Sequence, residues 1–244
     1  MSIPAKLKVL KAIYEFYDNY TGESSFACTI GCTACCTQQV LITSLEGSFI
    51  ISYLKEKQQL SLLNNVITEL QKPHFRPLIT TNELAYYCLQ QKEPPEETPY
   101  ASERPCPFLN KGRCLIYEVR PFACRSFFSQ IRCDITGEAR IPPLLLTINV
   151  IFNQLIEHID VPGIYGNMID VLSFLQEESN LGKYYLQQPL TASGLLANRP
   201  IPGFLYPPEH QQEVERIFKR LALIKIGDID MKMVLARILR FGEN

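Results

Sequence analysis

The chain lacks an excess of charge of either sign. Its 24 lysines and arginines nearly balance 25 aspartates and glutamates, so the formal net charge of the 244 residues is −1. Binding to phosphate backbones by bulk charge needs a basic surplus or a basic stripe, and this composition excludes a nucleic-acid binder of that kind. Apolar residues make up 46% of the chain, which is normal for a globular protein and excludes wholesale disorder.

Long hydrophobic runs are also missing. The apolar stretch around residues 141–146 is interrupted by Pro142 and Pro143, and it is much shorter than the roughly 20 residues of a membrane-spanning helix. At the N-terminus, lysines alternate with apolar residues, unlike the continuous apolar run and small-residue cleavage site of a signal peptide. We therefore expect a cytoplasmic protein without a membrane span.

Histidine is scarce, whereas cysteine is abundant. The chain has three histidines, all far in sequence from the clustered cysteines, and nine cysteines. In a reducing compartment so many thiols do not indicate disulfides, and an odd number argues against a complete disulfide framework. Eight of the nine fall into a first cysteine group (Cys28, Cys32, Cys35 and Cys36) and a second cysteine group (Cys106, Cys114, Cys124 and Cys133).

These groups have the composition of metal ligands. Four thiols of the first group lie within nine residues of a loop that includes Gly31. Buried apolar cysteines are common singly but do not account for such a cluster, whereas zinc and iron–sulfur clusters are both held by grouped thiolates. Eight thiols could fill two four-ligand sites, or one site with spare thiols. Cys35 and Cys36 are adjacent, so their side chains in an extended segment point to opposite sides. One of them is therefore expected to bind a second metal or the second iron of a cluster, or to lie beside the site without binding metal.

The choice between zinc and iron depends on the ligand pattern. Small zinc modules usually use two C-x2-C pairs, or one such pair with histidines. Here Cys32 and Cys35 form the single C-x2-C pair. An all-thiolate set suits an iron–sulfur cluster and also zinc held by four cysteines. We favour an iron–sulfur cluster as the cofactor and keep Zn²⁺ as the alternative.

Basic residues accompany the second cysteine group. They are Arg104, Lys111, Arg113, Arg120, Arg125 and Arg132. Four thiolates around a zinc ion or a doubly charged cluster core leave a net charge of about −2, which basic side chains can offset while they donate hydrogen bonds to sulfur. We expect Arg120 and Arg125, which flank Cys124, to support the site, and Lys111 and Arg132 to be solvated surface residues.

The rest of the pattern predicts a mainly α fold with irregular cysteine-bearing loops. Apolar residues at helical spacing, stops at Pro and Gly, a capping box at Thr43 and Glu46 and a turn at Asn110-Lys111-Gly112 define the elements. Helices are predicted over 3–20, 44–58, 61–71, 82–91, 143–158, 164–179, 208–224 and 229–240, with a short helix after Pro121 that carries Cys124, a small hairpin at 110–112 and a surface loop at 92–105. Residues 1–140 are expected to form a cysteine-cluster region, and residues 141–244 a C-terminal helical region that packs on it as one globular unit.

At the cysteines the sequence resembles the YkgJ-type CxxCxxCC family, which is described as zinc- or iron-chelating. The matching segments are G-C-T-A-C-C (Gly31–Cys36), C-P-F-L-N-K-G-R-C-L-I-Y-E-V-R-P-F-A-C-R (Cys106–Arg125) and C-D-I-T-G-E-A-R (Cys133–Arg140). The resemblance implies that all eight grouped cysteines form the chelating set, and Tyr117, Arg120 and Arg125 match non-cysteine positions of the family. The chain departs from the pattern with three residues between Cys28 and Cys32. Cys88 lies outside the pattern and is expected in the core.

The resemblance implies a site rather than a reaction. A metal-binding protein that stores, delivers or senses metal, or passes electrons, is the first hypothesis. The second is an S-adenosylmethionine-dependent protein-modifying enzyme, because a related branch includes flagellin lysine methylases and because Cys28, Cys32 and Cys35 have radical-enzyme spacing, although such a short motif is weak without its barrel. The third is a structural-zinc scaffold that binds a protein partner through the Pro/Glu loop and the aromatic Cys124–Phe128 turn. His158 is expected to be a helix C-terminal cation or a core residue, and Glu157 and Asp160 are expected to face solvent.

Overall fold

The computed structural model describes residues 1–22, 26–29, 31–97 and 104–240, and it confirms the mainly α fold. Short 3-10 turns at Leu60–Leu62, Tyr117–Val119 and Pro208–His210 connect some of the helices. The α-helices of the described residues are α1 (Ile3–Gly22), α2 (Ser44–Glu56), α3 (Leu63–Leu70), α4 (Thr81–Leu89), α5 (Phe122–Arg125), α6 (Cys133–Thr136), α7 (Pro143–Ile159), α8 (Met168–Leu175), α9 (Glu178–Tyr185), α10 (Gln211–Leu221) and α11 (Met231–Arg240).

The sheets among the described residues are small and antiparallel. Strands β1 (Leu41–Thr43), β4 (Ile164–Asn167) and β5 (Leu196–Ala197) form a sheet in the order β1-β4-β5, with Ile42 opposite Gly166. The predicted hairpin is present as β2 (Leu109–Asn110) and β3 (Arg113–Cys114), and a second hairpin joins β6 (Lys225–Ile226) to β7 (Ile229–Asp230). This topology is unlike the partial α/β barrel on which radical S-adenosylmethionine enzymes carry their cysteine motif.

A hydrophobic core takes side chains from both halves of the chain. Helix α7 is buried along most of its length, and α8 packs against α2 and α3. Aromatic rings join α1, α5 and α7: Phe122 lies edge-on to Tyr17 at 4.8 Å between centroids and stacks on Phe152 at 5.8 Å. Since Phe122 begins the helix that carries Cys124, this packing fixes the position of that cysteine relative to the core.

The expectation that Glu157 and Asp160 face solvent is wrong. Both carboxylates are buried at the C-terminal end of α7. Asp160 accepts hydrogen bonds from Ser44 Oγ (2.6 Å), Leu45 N–H (2.9 Å), Tyr184 Oη (2.6 Å) and Asn198 Nδ2 (2.8 Å). Burial raises the pKa of Asp160 to about 6, although these hydrogen bonds and Lys6 oppose the shift. The carboxylate therefore ties α7 to the N-terminus of α2 and to two distant loops.

Of two further expectations about single residues, the core position of Cys88 is wrong, and for His158 the cation alternative is wrong. His158 is half-buried and accepts a hydrogen bond from the Ile201 N–H at 3.0 Å, and burial lowers its pKa to about 4, so it is a neutral packing residue and not a cation at neutral pH. Cys88 is exposed, not in the core, because α4 turns Asn82 and Ala85 inward and ends one residue after Cys88.

The helix predicted over 164–179 is divided. Its first residues form β4, because pairing with β1 and β5 captures them as a strand. Asn167 then caps α8, since its side-chain oxygen accepts from the Ile169 N–H at 2.9 Å. The capping box of α2 is confirmed, with Thr43 and Glu46 bonded reciprocally.

The predicted surface loop at 92–105 falls partly on residues 98–103, which lie outside the described residues. Across the parts of the chain that the structure describes, no helix combines the length and apolarity that crossing a membrane requires.

Candidate metal centre

The cysteines of the two groups meet around one region of the surface. A cavity of about 370 Å³ is lined by seven of them, namely Cys28, Cys32, Cys35, Cys36, Cys106, Cys114 and Cys124. The eighth, Cys133, lines a neighbouring cavity of about 560 Å³ together with Cys32. Hereafter these are the main cavity and the side cavity. Residues distant in sequence are thus brought together as the sequence analysis expected.

The first cysteine group lies on consecutive tight turns. The Cys32 N–H donates to the Thr29 carbonyl, and the Cys36 N–H donates to the Thr33 carbonyl, each at 3.0 Å. Gly31 has a φ of +94°, a conformation that glycine adopts without the steric cost other residues carry. The turns allow closely spaced cysteines to face two cavities.

Backbone hydrogen bonds tie the two groups together at both ends. The Cys106 N–H donates to the Cys36 carbonyl at 2.9 Å, which joins the end of the first group to the start of the second. At the other end, the Ala27 N–H donates to the Ser129 carbonyl at 2.8 Å, and the Ser129 N–H donates to Cys28 Sγ at 3.3 Å. The loop of the first group is therefore held against both ends of the second.

The β2–β3 hairpin positions two thiols of the second group. Leu109 pairs with Cys114, and the turn brings Cys114 back towards Cys106. The N–H groups of Phe108 and Ile116 donate to the sulfurs of Cys106 and Cys114, respectively. Burial raises the pKa of Cys106 to about 11 and also raises the pKa of Cys114, while these hydrogen bonds act in the opposite direction. Backbone N–H groups directed at sulfur stabilise the thiolate, which is the form that binds metal.

Cys124 is held by a short helix that is anchored on both sides. Glu46 Oε1 accepts from the Phe122 N–H at the start of α5, at 2.8 Å. At its end, buried Arg125 binds Asp18 Oδ2 at 2.5 Å and donates to the carbonyls of Glu118 and Arg120. Arg125 thus holds α5 to the preceding turn through backbone carbonyls and to α1 through Asp18, and its contacts are too many for lysine to reproduce.

Glu46 and Asp18 are supporting residues that sequence reasoning missed. The capping box indicated the local role of Glu46 but gave no sign that the same carboxylate would reach α5 from α2. Asp18 had no signal, because its partner Arg125 lies far along the chain.

The other basic residues differ in their exposure and in the groups that they contact. Arg120 lines the main cavity, its guanidinium lies 4.0 Å from the centroid of the Tyr117 ring, and its charge acts to lower the pKa of Cys114. Arg132 is exposed and pairs with Asp134 at 2.5 Å, and Lys111 is exposed, as expected. Arg104 pairs with Glu69 at 3.0 Å, and Arg113 is exposed at the hairpin.

The thiols influence one another electrostatically. The Cys35 thiol donates to Cys36 sulfur, which raises the pKa of Cys35 and lowers the pKa of Cys36. Burial raises the pKa of Cys124, with further contributions from the charges of Cys106, Cys114 and Cys35. Thiolates repel one another, and a bound cation removes this repulsion. Loss of the thiol protons and binding of a metal are therefore coupled at such a site.

Thiols are the available donors around the main cavity. Among the described residues, no three His, Cys, Asp or Glu side chains already converge closely enough to hold a single ion; instead the sulfurs are distributed over the cavity wall. The three histidines make hydrogen bonds elsewhere: His74 with Asp170, His158 with the Ile201 N–H and His210 with Thr147. A thiolate donor set fits zinc or iron, the metals that clustered cysteines bind.

Comparison with known families agrees with this chemistry. Residues 27–140, a little under half of the chain, match the family model CxxCxxCC, described as a "Putative zinc- or iron-chelating domain". The matched segment contains all eight grouped cysteines and confirms the resemblance noted in the sequence. Neither a curated protein nor a solved structure matches the chain at a significant level.

Proposed function

Since residues 27–140 carry a CxxCxxCC domain, we propose that this chain is an iron–sulfur protein. The thiol-lined main cavity is the observation that carries the proposal. We assign the ligand role to Cys28, Cys32, Cys35, Cys36, Cys106, Cys114, Cys124 and Cys133, and leave exposed Cys88 outside it. An iron–sulfur cluster in this position would supply one-electron redox chemistry.

The dimensions of the cavity favour a cluster over a single zinc ion. A zinc ion draws its ligand sulfurs to about 2.3 Å from one point, and it needs no space between them beyond the ion itself. Here seven thiols are among the residues that line a cavity of about 370 Å³, which is room for several metal and sulfide atoms. The N–H donors of Phe108, Ile116 and Ser129 lie beside sulfur, and such hydrogen bonds tune cluster potentials.

The protein around the cavity supplies position and charge. Arg120 offsets part of the negative charge of the thiolates, and Arg125 with Glu46 fixes the helix that carries Cys124. Residues 141–244 are proposed to act as a helical support that forms one globular unit with residues 1–140, because β4 pairs with β1 and α7 stacks on Phe122. Cytoplasmic location is part of the proposal, since reducing conditions keep such thiols free.

A structural-zinc scaffold is the second candidate. Tyr117 and Phe127, both exposed, lie on the rim of the main cavity, and exposed aromatic residues are common in protein interfaces. In this alternative the metal would fix the rim, and a protein partner would cover it.

Metal and acid-labile sulfide analysis of anaerobically purified protein distinguishes the two. We expect a brown protein that contains iron and sulfide, whereas colourless protein with zinc and no sulfide contradicts the proposal and supports the scaffold. Replacing Cys35 with Ser is expected to lower the iron content. The matched control Cys88→Ser is expected to leave it unchanged, and a loss of metal there would contradict the ligand assignment.

A further inference from the structure

We infer that the eight cysteines form two adjacent four-thiolate sites, an assignment that rests on the proposed metal binding. The hairpin site consists of Cys36, Cys106, Cys114 and Cys124. The loop site consists of Cys28, Cys32, Cys35 and Cys133. Each site has the full number of cysteines that an iron–sulfur cluster requires.

The hairpin site is assembled by backbone pairing. The Cys106–Cys36 hydrogen bond places these two residues side by side, and the bridge between Thr37 and Pro105 continues the pairing. The β2–β3 hairpin returns Cys114 to the same wall of the main cavity, where α5 presents Cys124. All four cysteines of the hairpin site line the main cavity.

The loop site is assembled at the opposite end of the first group. The hydrogen bonds of Ser129 with Ala27 and Cys28 bring the segment that leads to Cys133 against the loop. Cys32 lines both cavities and shares the side cavity with Cys133. Cys28 and Cys35 line the main cavity beside Cys32, so the loop site spans the boundary between the two cavities.

Cys35 and Cys36 form the boundary between the sites. Their α-carbons are about 3.8 Å apart, as in any consecutive pair, so sites on either side must be close neighbours. Cys35 and Cys36 both line the main cavity, and the Cys35 thiol donates to Cys36 sulfur. The hairpin site already has four thiols, so Cys35 completes the loop site. Neighbouring cysteines of one run likewise ligate different clusters in two-cluster ferredoxins.

The surroundings of the two sites differ. Cys106 and Cys114 of the hairpin site are half-buried and receive N–H donors from their own hairpin. In the loop site two cysteines, Cys32 and Cys35, are exposed, whereas the hairpin site has one, Cys124. The side cavity is bordered by the exposed Arg132–Asp134 pair. Solvent reaches the loop site more readily, so an iron chelator is expected to remove metal from the loop site first.

Single-site variants of the full-length chain test the assignment. Cys114→Ala removes one ligand of the hairpin site, Cys133→Ala removes one ligand of the loop site, and Cys88→Ala is the control. After anaerobic reconstitution with ferrous iron and sulfide, each site variant is expected to hold about half of the iron and sulfide of the wild type. The variant with both changes is expected to hold almost none, and the control the full amount.

The outcomes separate this inference from the proposed function. A wild type that takes up no iron and sulfide overturns the proposed function itself. If the wild type takes up iron and sulfide, the variants test the two-site assignment alone. That assignment is overturned if Cys133→Ala keeps the full iron and sulfide content, or if each single variant loses all of it.

Electron paramagnetic resonance of the reduced wild type gives a test that does not depend on variant folding. Two neighbouring paramagnetic centres are expected to broaden each other's signal, and partial chelation should leave one sharp signal. A single unbroadened signal equal to one spin per chain contradicts the inference.

Discussion

Two polar clusters of this molecule are built in opposite ways. Asp160 is fully buried, and the donors of Ser44, Leu45, Tyr184 and Asn198 surround its two oxygens at 2.6–2.9 Å. By contrast, three thiols around the main cavity each accept a backbone N–H, and three others are exposed. A buried polar group that the protein satisfies completely contributes to folding, because leaving it unpaired is costly. Exposed thiols remain available to a ligand from outside.

The largest expected effect is a loss of stability that depends on bound metal, which distinguishes the thiols from the Asp160 cluster. Cys124→Ala is expected to lower the free energy of unfolding of the metal-loaded protein by about 4 kcal/mol or more, because tight ligand binding contributes that amount to the native state. Metal-free protein is expected to lose less than about 1 kcal/mol from the same change. Urea unfolding of both forms measures the difference, and equal losses in the two forms would show that Cys124 is a packing residue and not a ligand.

The next largest effect concerns Asp160 and the four donors that surround it. Asp160→Ala is expected to destabilise metal-loaded and metal-free protein alike by about 3 kcal/mol, since it leaves buried donors without an acceptor. Metal content of the folded fraction should be unchanged. Asp228→Ala, at an exposed position, is the control and should cost almost nothing. A selective loss of metal in the Asp160 variant would remove the contrast between the clusters.

A smaller effect is expected from pH. Asp160 has a folded-state pKa of about 6 against an unfolded value of 3.8, so the native state binds the proton more tightly than the unfolded chain. Its contribution to stability is therefore present at acid pH and falls by about 2 kcal/mol as pH rises from 4 to 6. Urea unfolding of metal-free wild type across this range should show the decline relative to Asp160→Asn, which cannot titrate. If the free energies of unfolding of the two proteins change with pH in parallel, the raised pKa of Asp160 is contradicted.

Local patterns in the sequence were sufficient for many elements of the fold. Capping at Thr43, the turn at Asn110-Lys111-Gly112 and the apolar spacing of α1 and α7 each lie within a few residues, and the structure contains the corresponding elements. Strand β4 was mistaken for helix because its partners β1 and β5 lie far away in sequence. Non-local pairing overrides local propensity in such short segments.

The same limit applies to the candidate site. Cysteine spacing identified two groups, and the structure brings them to one region. Spacing could not indicate which cysteines lie close together in space. That proximity depends on the backbone hydrogen bonds of Cys36 with Cys106 and of Ala27 with Ser129. The burial of Asp160 was equally hidden, since an acidic residue at a helix end has no sequence sign of the hydroxyls and amides that surround it.

The pairing of β1 with β4 has a consequence for biosynthesis. Strand β1 begins shortly after Cys36, yet its partner is made only when the ribosome has translated most of the chain. A nascent polypeptide that has exposed both cysteine groups still lacks the strand and the α7 surface against which their supporting elements pack. We therefore expect metal insertion to follow the emergence of α7 and β4 from the ribosome, when these supporting contacts can form.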